Sequence, residues 1–165
     1  MVTPPPVAAM APAPAALEQV KLCGGETVGL SNGSFNYNLA RFLVGENTGE
    51  LPKTFVFDNL NFETGTTNLT PASRQTVNDL ITILMACPTA QVQLAGHADS
   101  TGDPAANQTL STDRATAIQS LLVAGGVAPE RLTTAGYGQD KPVASNDTED
   151  GKARNRRTEL IVLKK

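Results

Sequence analysis

The sequence predicts an α/β domain of order βαβαββ, with a mixed four-stranded sheet, helices packed on one face of it, and a short N-terminal extension. Two observations lead there. Two segments carry apolar residues at helical spacing behind a capping residue followed by proline, Thr70-Pro71 and Asp103-Pro104. Around them fall short β-rich or alternating runs: TFVFDNLNF, QVQLAG, a run from Arg131 and TELIVL.

The elements follow in order. Residues 1–17 open with MVTPPPVAAMAPAPAA. Its prolines interrupt any helix, and it lacks the charged and continuous apolar parts of a signal peptide, so it reads as an extended linker. Any export signal, membrane anchor or further domain is expected upstream of Met1. Residues 18–50 form the extension. Within it, Val20–Leu30 predicts a hairpin turned at Gly24-Gly25, and Ser34 caps a short helix to Leu43. Phe35, Leu39, Phe42 and Leu43 share a side of that helix and should dock on the main domain, with Gly45–Pro52 as a loop.

The main domain occupies residues 51–165. Thr54–Phe62 reads as its first strand, with Phe55 and Phe57 facing the core. The helix from Thr70-Pro71 presents Val77, Leu80, Ile81, Leu84 and Met85 and ends at Cys87-Pro88. Gln91–Gly96 is the second strand. The next helix runs from Asp103-Pro104 to about Ala124 and closes on Gly125-Gly126. Arg131–Tyr137 is a strand, Gly138–Gly151 a long polar loop, and Thr158–Leu163 the last strand. Two βαβ units favour parallel pairs with right-handed crossovers. The last strand follows without a full helix, which suits an antiparallel partner.

Composition excludes several functions. A net charge of −3 lacks the basic excess of a nucleic-acid binder. No apolar run reaches the roughly 18 residues needed to span a bilayer, so membrane association would come only through an upstream anchor. One histidine and two widely spaced cysteines do not make a zinc site, and no motif asks for a cofactor. Cys23 and Cys87 fit either a disulfide, worth about 4 kcal/mol by loop closure, or two separately buried thiols.

The second long helix holds an anomaly. Leu110, Arg114, Ile118 and Leu122 follow one another at four-residue steps, so a cation stands in an apolar row. A half-buried arginine requires a partner. The segment GHADSTG delivers Asp99 at the carboxyl edge of the sheet, where open α/β folds bind ligands. Two readings stay open. Asp99 and Arg114 pair with each other, the simpler reading from pattern alone. Or both face a zwitterionic ligand, the carboxylate holding its ammonium and the guanidinium forking its carboxylate. Asn107 and Ser111 lie on a similar side of the helix.

The stretch Gly96–Gly138, with Asn155-Arg156-Arg157 beyond it, carries several separated blocks in order: Gly96-His97-Ala98-Asp99, Gly102, Asn107, Leu110-Ser111, Arg114-Ala115 and Gly136-Tyr137-Gly138. In these blocks the chain resembles the OmpA-like domain shared by outer-membrane porin tails, peptidoglycan-associated lipoproteins and flagellar stator proteins. The resemblance runs from about Thr54 to Leu163. It implies a non-enzymatic module of the periplasm that binds peptidoglycan and tethers an outer-membrane or envelope protein to the wall. It further implies that Asp99 and Arg114 bind the free amino-acid end of meso-diaminopimelate in the stem peptide. Asn107 and Ser111 would support them and Phe62 would wall the pocket. Arg156 and Arg157 would support the pocket or the wall polymer, or else form a strand-edge pair that structures the long loop.

The chain departs from the family pattern at Ala98, where threonine is usual, and at Lys152, where many members have arginine. Both charges of the expected site are retained. His97 lacks a second histidine or a nucleophile motif and reads as a hydrogen-bonded spacer. Gly136-Tyr137-Gly138 lacks the lysine of a phosphate loop and reads as a tight turn. Two other functions stay open. A glycan hydrolase would use Asp99 with Glu63 or Asp103. A dimerising or docking domain, including a homodimer, would use the surface of the N-terminal helix.

Overall fold

The computed structural model describes residues 17–46, 49–57, 60–63 and 67–165. The expected Pro/Ala-rich linker lies outside the described residues except for Leu17. That residue opens β1 (Leu17–Lys21), which pairs antiparallel with β2 (Thr27–Ser31) as the predicted hairpin. The turn closes through Leu22 N–H to Glu26 O at 2.8 Å, with Gly25 at φ 94°, a conformation that suits glycine. Helix α1 (Phe35–Leu43) starts where Ser34 Oγ accepts from Tyr37 N–H at 3.2 Å.

Helix α1 buries the side predicted for it. Phe35, Leu39, Phe42 and Leu43 are all buried. The Phe35 ring stacks on Phe57 at 4.0 Å, and Phe42 meets Phe55 at 5.5 Å. These residues belong to the same apolar cluster as the main sheet and helices. A disulfide between Cys23 and Cys87 ties the hairpin turn to the end of the first long helix. The extension therefore completes the core beside the first main strand.

The main sheet runs β3-β6-β4-β5, formed by β3 (Lys53–Val56), β4 (Gln91–Gly96), β5 (Leu132–Gly136) and β6 (Thr158–Lys164). Strands β4 and β5 are parallel, and β6 is antiparallel to both of its neighbours. The first βαβ unit is thus split, with β6 inserted between β3 and β4. Phe55, Leu160, Leu94 and Thr134 stand in one cross-strand row, with Leu94 and Leu160 fully buried. The adjacent row, Thr54, Ile161, Gln93 and Thr133, is exposed or half-buried. This alternation leaves one face for α2 (Pro71–Ala86) and α3 (Pro104–Ala124).

Two local devices hold these helices. Arg131, in a short 3-10 turn (Pro129–Arg131), donates to the carbonyls of Leu84, Cys87 and Ala90 at 2.7–2.9 Å. It satisfies carbonyls at the end of α2 that the helix itself leaves open. Gly96 and Gly136, at the ends of β4 and β5, lie against α3. A Cβ on Gly136 would stand 2.6 Å from the Thr112 Cα, and one on Gly96 would stand 2.9 Å from the Ser111 carbonyl carbon.

Two expectations need correction. The first strand ends at Val56, and Phe62 joins only an isolated bridge to Leu69. The polar loop ends in a helix, α4 (Glu149–Asn155), where Thr148 Oγ1 accepts from Gly151 N–H at 3.0 Å. Acidic residues fill its first turn and basic residues its last, as the helix dipole favours. It has no apolar period, so periodicity could not reveal it.

Candidate functional site

The site forms where β4 leaves the sheet. Backbone bonds pin this exit: His97 N–H donates to Arg157 O at 2.9 Å, and Ala98 N–H to Gly138 O at 2.7 Å. The chain then turns back on Asp99, whose Oδ1 accepts from Thr101 N–H at 2.8 Å. Asn107, one turn into α3, donates to the carbonyls of Asp99 and Thr101 at 3.3 and 2.9 Å. Asp103 caps α3 by accepting from Ala106 N–H at 3.1 Å. Asp99 is thus aimed by its own loop and by the helix that follows it.

The Asp99 carboxylate pairs with Arg156, Oδ2 to Nη1 at 2.5 Å, and not with Arg114. Burial disfavours its charge, but the Thr101 N–H, the Arg156 guanidinium and the Thr101 hydroxyl outweigh that. Its carboxyl therefore titrates below the usual aspartate value. A carboxylate held ionised suits an ammonium ligand. It does not suit the proton donor that glycan cleavage needs, and Asp103 is engaged as a helix cap.

Arg114 is half-buried, and its guanidinium lies over the Phe62 ring at 4.9 Å from the centroid. Burial draws its pKa down, though an arginine stays charged at any physiological pH. The stacking orders the fork and shields one side of it from water. Phe62 is itself fixed by short bonds on either side. Asn61 N–H donates to Ser73 Oγ at 2.6 Å, and Glu63 N–H to Asn68 O at 2.8 Å.

Phe62, Leu110 and Arg114 on one side and His97, Ala153 and Arg156 on the other line a cleft of about 580 Å³. Three arginines, Arg114, Arg156 and Arg157, and an aromatic ring thus face one space, and Asp99 stands behind Arg156, outside the residues that line it. The sequence-predicted residues divide into two groups. Arg114 and Phe62 are walls of the cleft, and Asp99 is tied to its edge. Ser111 also borders it, but its hydroxyl donates to Gln108 O and accepts from Gly138 N–H, so it clamps the turn Gly136-Tyr137-Gly138 to α3. Asn107 shapes the Asp99 loop.

Arg157 is a wall residue with its donors already engaged. Its Nε meets Glu159 at 3.1 Å and its Nη2 donates to Lys141 O at 3.0 Å, with the side chain 8% exposed. Of the two arginines that the resemblance offers together, its neighbour Arg156 is the half-exposed one, paired with Asp99. In the segment leading into β6 adjacent residues point opposite ways, so two identical neighbours part company only once the strand is placed.

His97 behaves as the expected spacer. It is buried, bonds Glu159 Oε1 through Nε2 at 2.8 Å, and stacks on Tyr137 at 5.2 Å. Burial first, then the adjacent Arg157, lower its pKa against the pull of Glu159. Among the described residues there is no group of histidines, cysteines or carboxylates suited to hold a metal ion.

A sequence model of the OmpA family matches residues 61–156, more than half of the chain. The chain belongs to the OmpA family. It is 47% identical over 92 residues to outer membrane porin F of Pseudomonas fluorescens, covering 56% of this chain and 28% of that protein. It is 42% identical over 95 residues to peptidoglycan-binding protein ArfA of Mycobacterium tuberculosis, covering 58% of this chain and 29% of that one. The chain thus spans under a third of the length of either relative. Among solved structures, it resembles the cell wall anchor of the T6SS from Pseudomonas aeruginosa at 28% identity and TM-score 0.58, over 68% of this chain and 80% of that one. It shares the fold of the periplasmic domain of Helicobacter pylori MotB, with TM-score 0.62 over 71% of this chain and 79% of that one, at 17% identity.

Proposed function

We propose that this member of the OmpA family binds peptidoglycan without cleaving it, through the free amino-acid end of diaminopimelate in the stem peptide. The observation that carries the reading is a cleft walled by Arg114 and Phe62, with the Asp99 carboxylate bound to its wall residue Arg156. Arg114, ordered on Phe62, offers a guanidinium fork for the ligand carboxylate, and Asp99, held ionised beside Arg156, offers the anion for its ammonium. Phe62 and Leu110 form the apolar wall for the methylene chain that leads to that amino-acid end. The similarity to a peptidoglycan-binding protein and a cell wall anchor supports peptidoglycan as the partner.

The module would work in the periplasm, tethering an outer-membrane or envelope protein to the wall by weak contacts repeated along the polymer. Co-sedimentation of the chain with purified sacculi tests the reading. Retention should be competed by free diaminopimelate and reduced in Arg114→Ala. Retention unaffected by both would overturn the site assignment, and release of soluble wall fragments would overturn the non-enzymatic reading.

A further inference from the structure

The cleft does not end at Arg156. Beyond it opens a second recess of about 440 Å³, with Val56, Phe57, Val143 and Arg154 as its own walls. Leu60, Ala153 and Arg156 are common to both spaces, so the two are continuous. The second recess differs in chemistry. Its apolar walls are exposed to an unusual degree for valines, with Val56 at 51% and Val143 at 52%. Its polar side holds three arginines, Arg154, Arg156 and Arg157, and none of the described residues around it is acidic.

These walls are held in place. Val143 N–H and Ala144 N–H both donate to Asn155 Oδ1, at 2.7 and 3.0 Å, and Asn155 is fully buried. Asn155 also donates to Ala144 O at 2.9 Å and to Asn146 Oδ1 at 2.8 Å. The loop bearing Val143 is therefore fastened to α4, which carries Arg154 on its exposed side. Arg154 pairs with no carboxylate among the described residues, and Arg156 uses one nitrogen on Asp99 while remaining half-exposed. A positive charge that no described carboxylate pairs, beside a fixed pair of valines, is complementary to a carboxylate borne on a short apolar residue.

We propose that this recess is a second subsite, which takes the carboxylate of a chain-terminal alanine attached to the residue held in the first cleft. The inference rests on the stem-peptide reading above and extends it by one residue. Arg154 and Arg156 receive the carboxylate, and Val56 and Val143 cover the methyl group.

Calorimetric titration of the whole chain with three synthetic peptides tests it. These are a stem tripeptide ending in diaminopimelate, the tetrapeptide ending in alanine, and that tetrapeptide as its C-terminal amide. The free-acid tetrapeptide should bind about fivefold more tightly than the tripeptide, the scale of one partly exposed ion pair. The amide should lose that advantage, and the ratio should fall to about one in Arg154→Gln. Val143→Asp, which adds a negative charge to the recess, should make the acid tetrapeptide the weaker ligand of the two. Equal binding of tripeptide and tetrapeptide by the unaltered chain overturns the second subsite and leaves the first reading standing. Equal binding of acid and amide overturns the carboxylate assignment. Binding of none of the peptides overturns the stem-peptide reading and this inference together.

Discussion

Asp99→Asn separates charge from shape at the site. Asparagine keeps an oxygen for the Thr101 N–H, which Asp99 Oδ1 accepts at 2.8 Å, so the loop retains its main local bond. The substitution removes the negative charge that is 7% exposed and paired with Arg156. In the free protein that pair involves a half-exposed arginine, so its loss should lower stability by only about 0.5 to 1 kcal/mol. In the complex the same carboxylate would face an ammonium away from bulk water, where deleting one partner costs about 2 to 3 kcal/mol. That is roughly a 30- to 150-fold rise in Kd for a diaminopimelate-containing peptide. Titration calorimetry at neutral pH, with a thermal melt of each protein, measures both quantities. Binding within twofold of the unaltered chain, in a variant that melts normally, refutes the role of this charge.

Three further outcomes concern the scaffold. Arg131→Ala leaves the carbonyls of Leu84, Cys87 and Ala90 short of a charged donor. It should cost about 2 to 3 kcal/mol, or about 5 to 10 °C in the melting midpoint; an unchanged midpoint contradicts the capping role. Because burial lowers the pKa of His97, stability is fully present above the unfolded value of 6.5 and falls as pH drops through the lower folded value. Arg157, Lys141, Glu159 and Tyr137 surround that ring and are the same in both proteins compared. The difference in stability between the native chain and His97→Gln should therefore shrink or reverse between pH 7.5 and 5, and a constant difference rules the effect out. Reducing the Cys23–Cys87 disulfide opens a loop of sequence separation 64 and should cost about 2 to 4 kcal/mol, read as a lower urea midpoint under reductant. Equal midpoints with and without reductant contradict this.

Much of the site could be read from residues alone. The cap-plus-proline starts at Thr70-Pro71 and Asp103-Pro104 marked both long helices within a residue. Arg114 betrayed itself as a cation in the apolar row Leu110, Ile118 and Leu122, because helical spacing is a local property. Asp99 followed from its place after an alternating strand. The Ser34 cap and the aromatic side of α1 were equally local.

What the chain order could not supply was pairing across distance. Nothing near Asp99 or Arg114 in sequence says that the carboxylate is matched by Arg156, 57 residues away, while Arg114 lies on Phe62. The insertion of β6 between β3 and β4 brings the Asn155-Arg156-Arg157 segment to the carboxyl end of β4, and strand alternation then sends one arginine to the cleft and the other to Glu159. The choice between a disulfide and two thiols was likewise settled by packing, since it depends on the hairpin turn meeting the end of α2. Local spacing determines which residues share a helix face or a strand edge. Only the closed sheet determines which of those faces meet, because that depends on long-range contacts whose partners lie far apart along the chain.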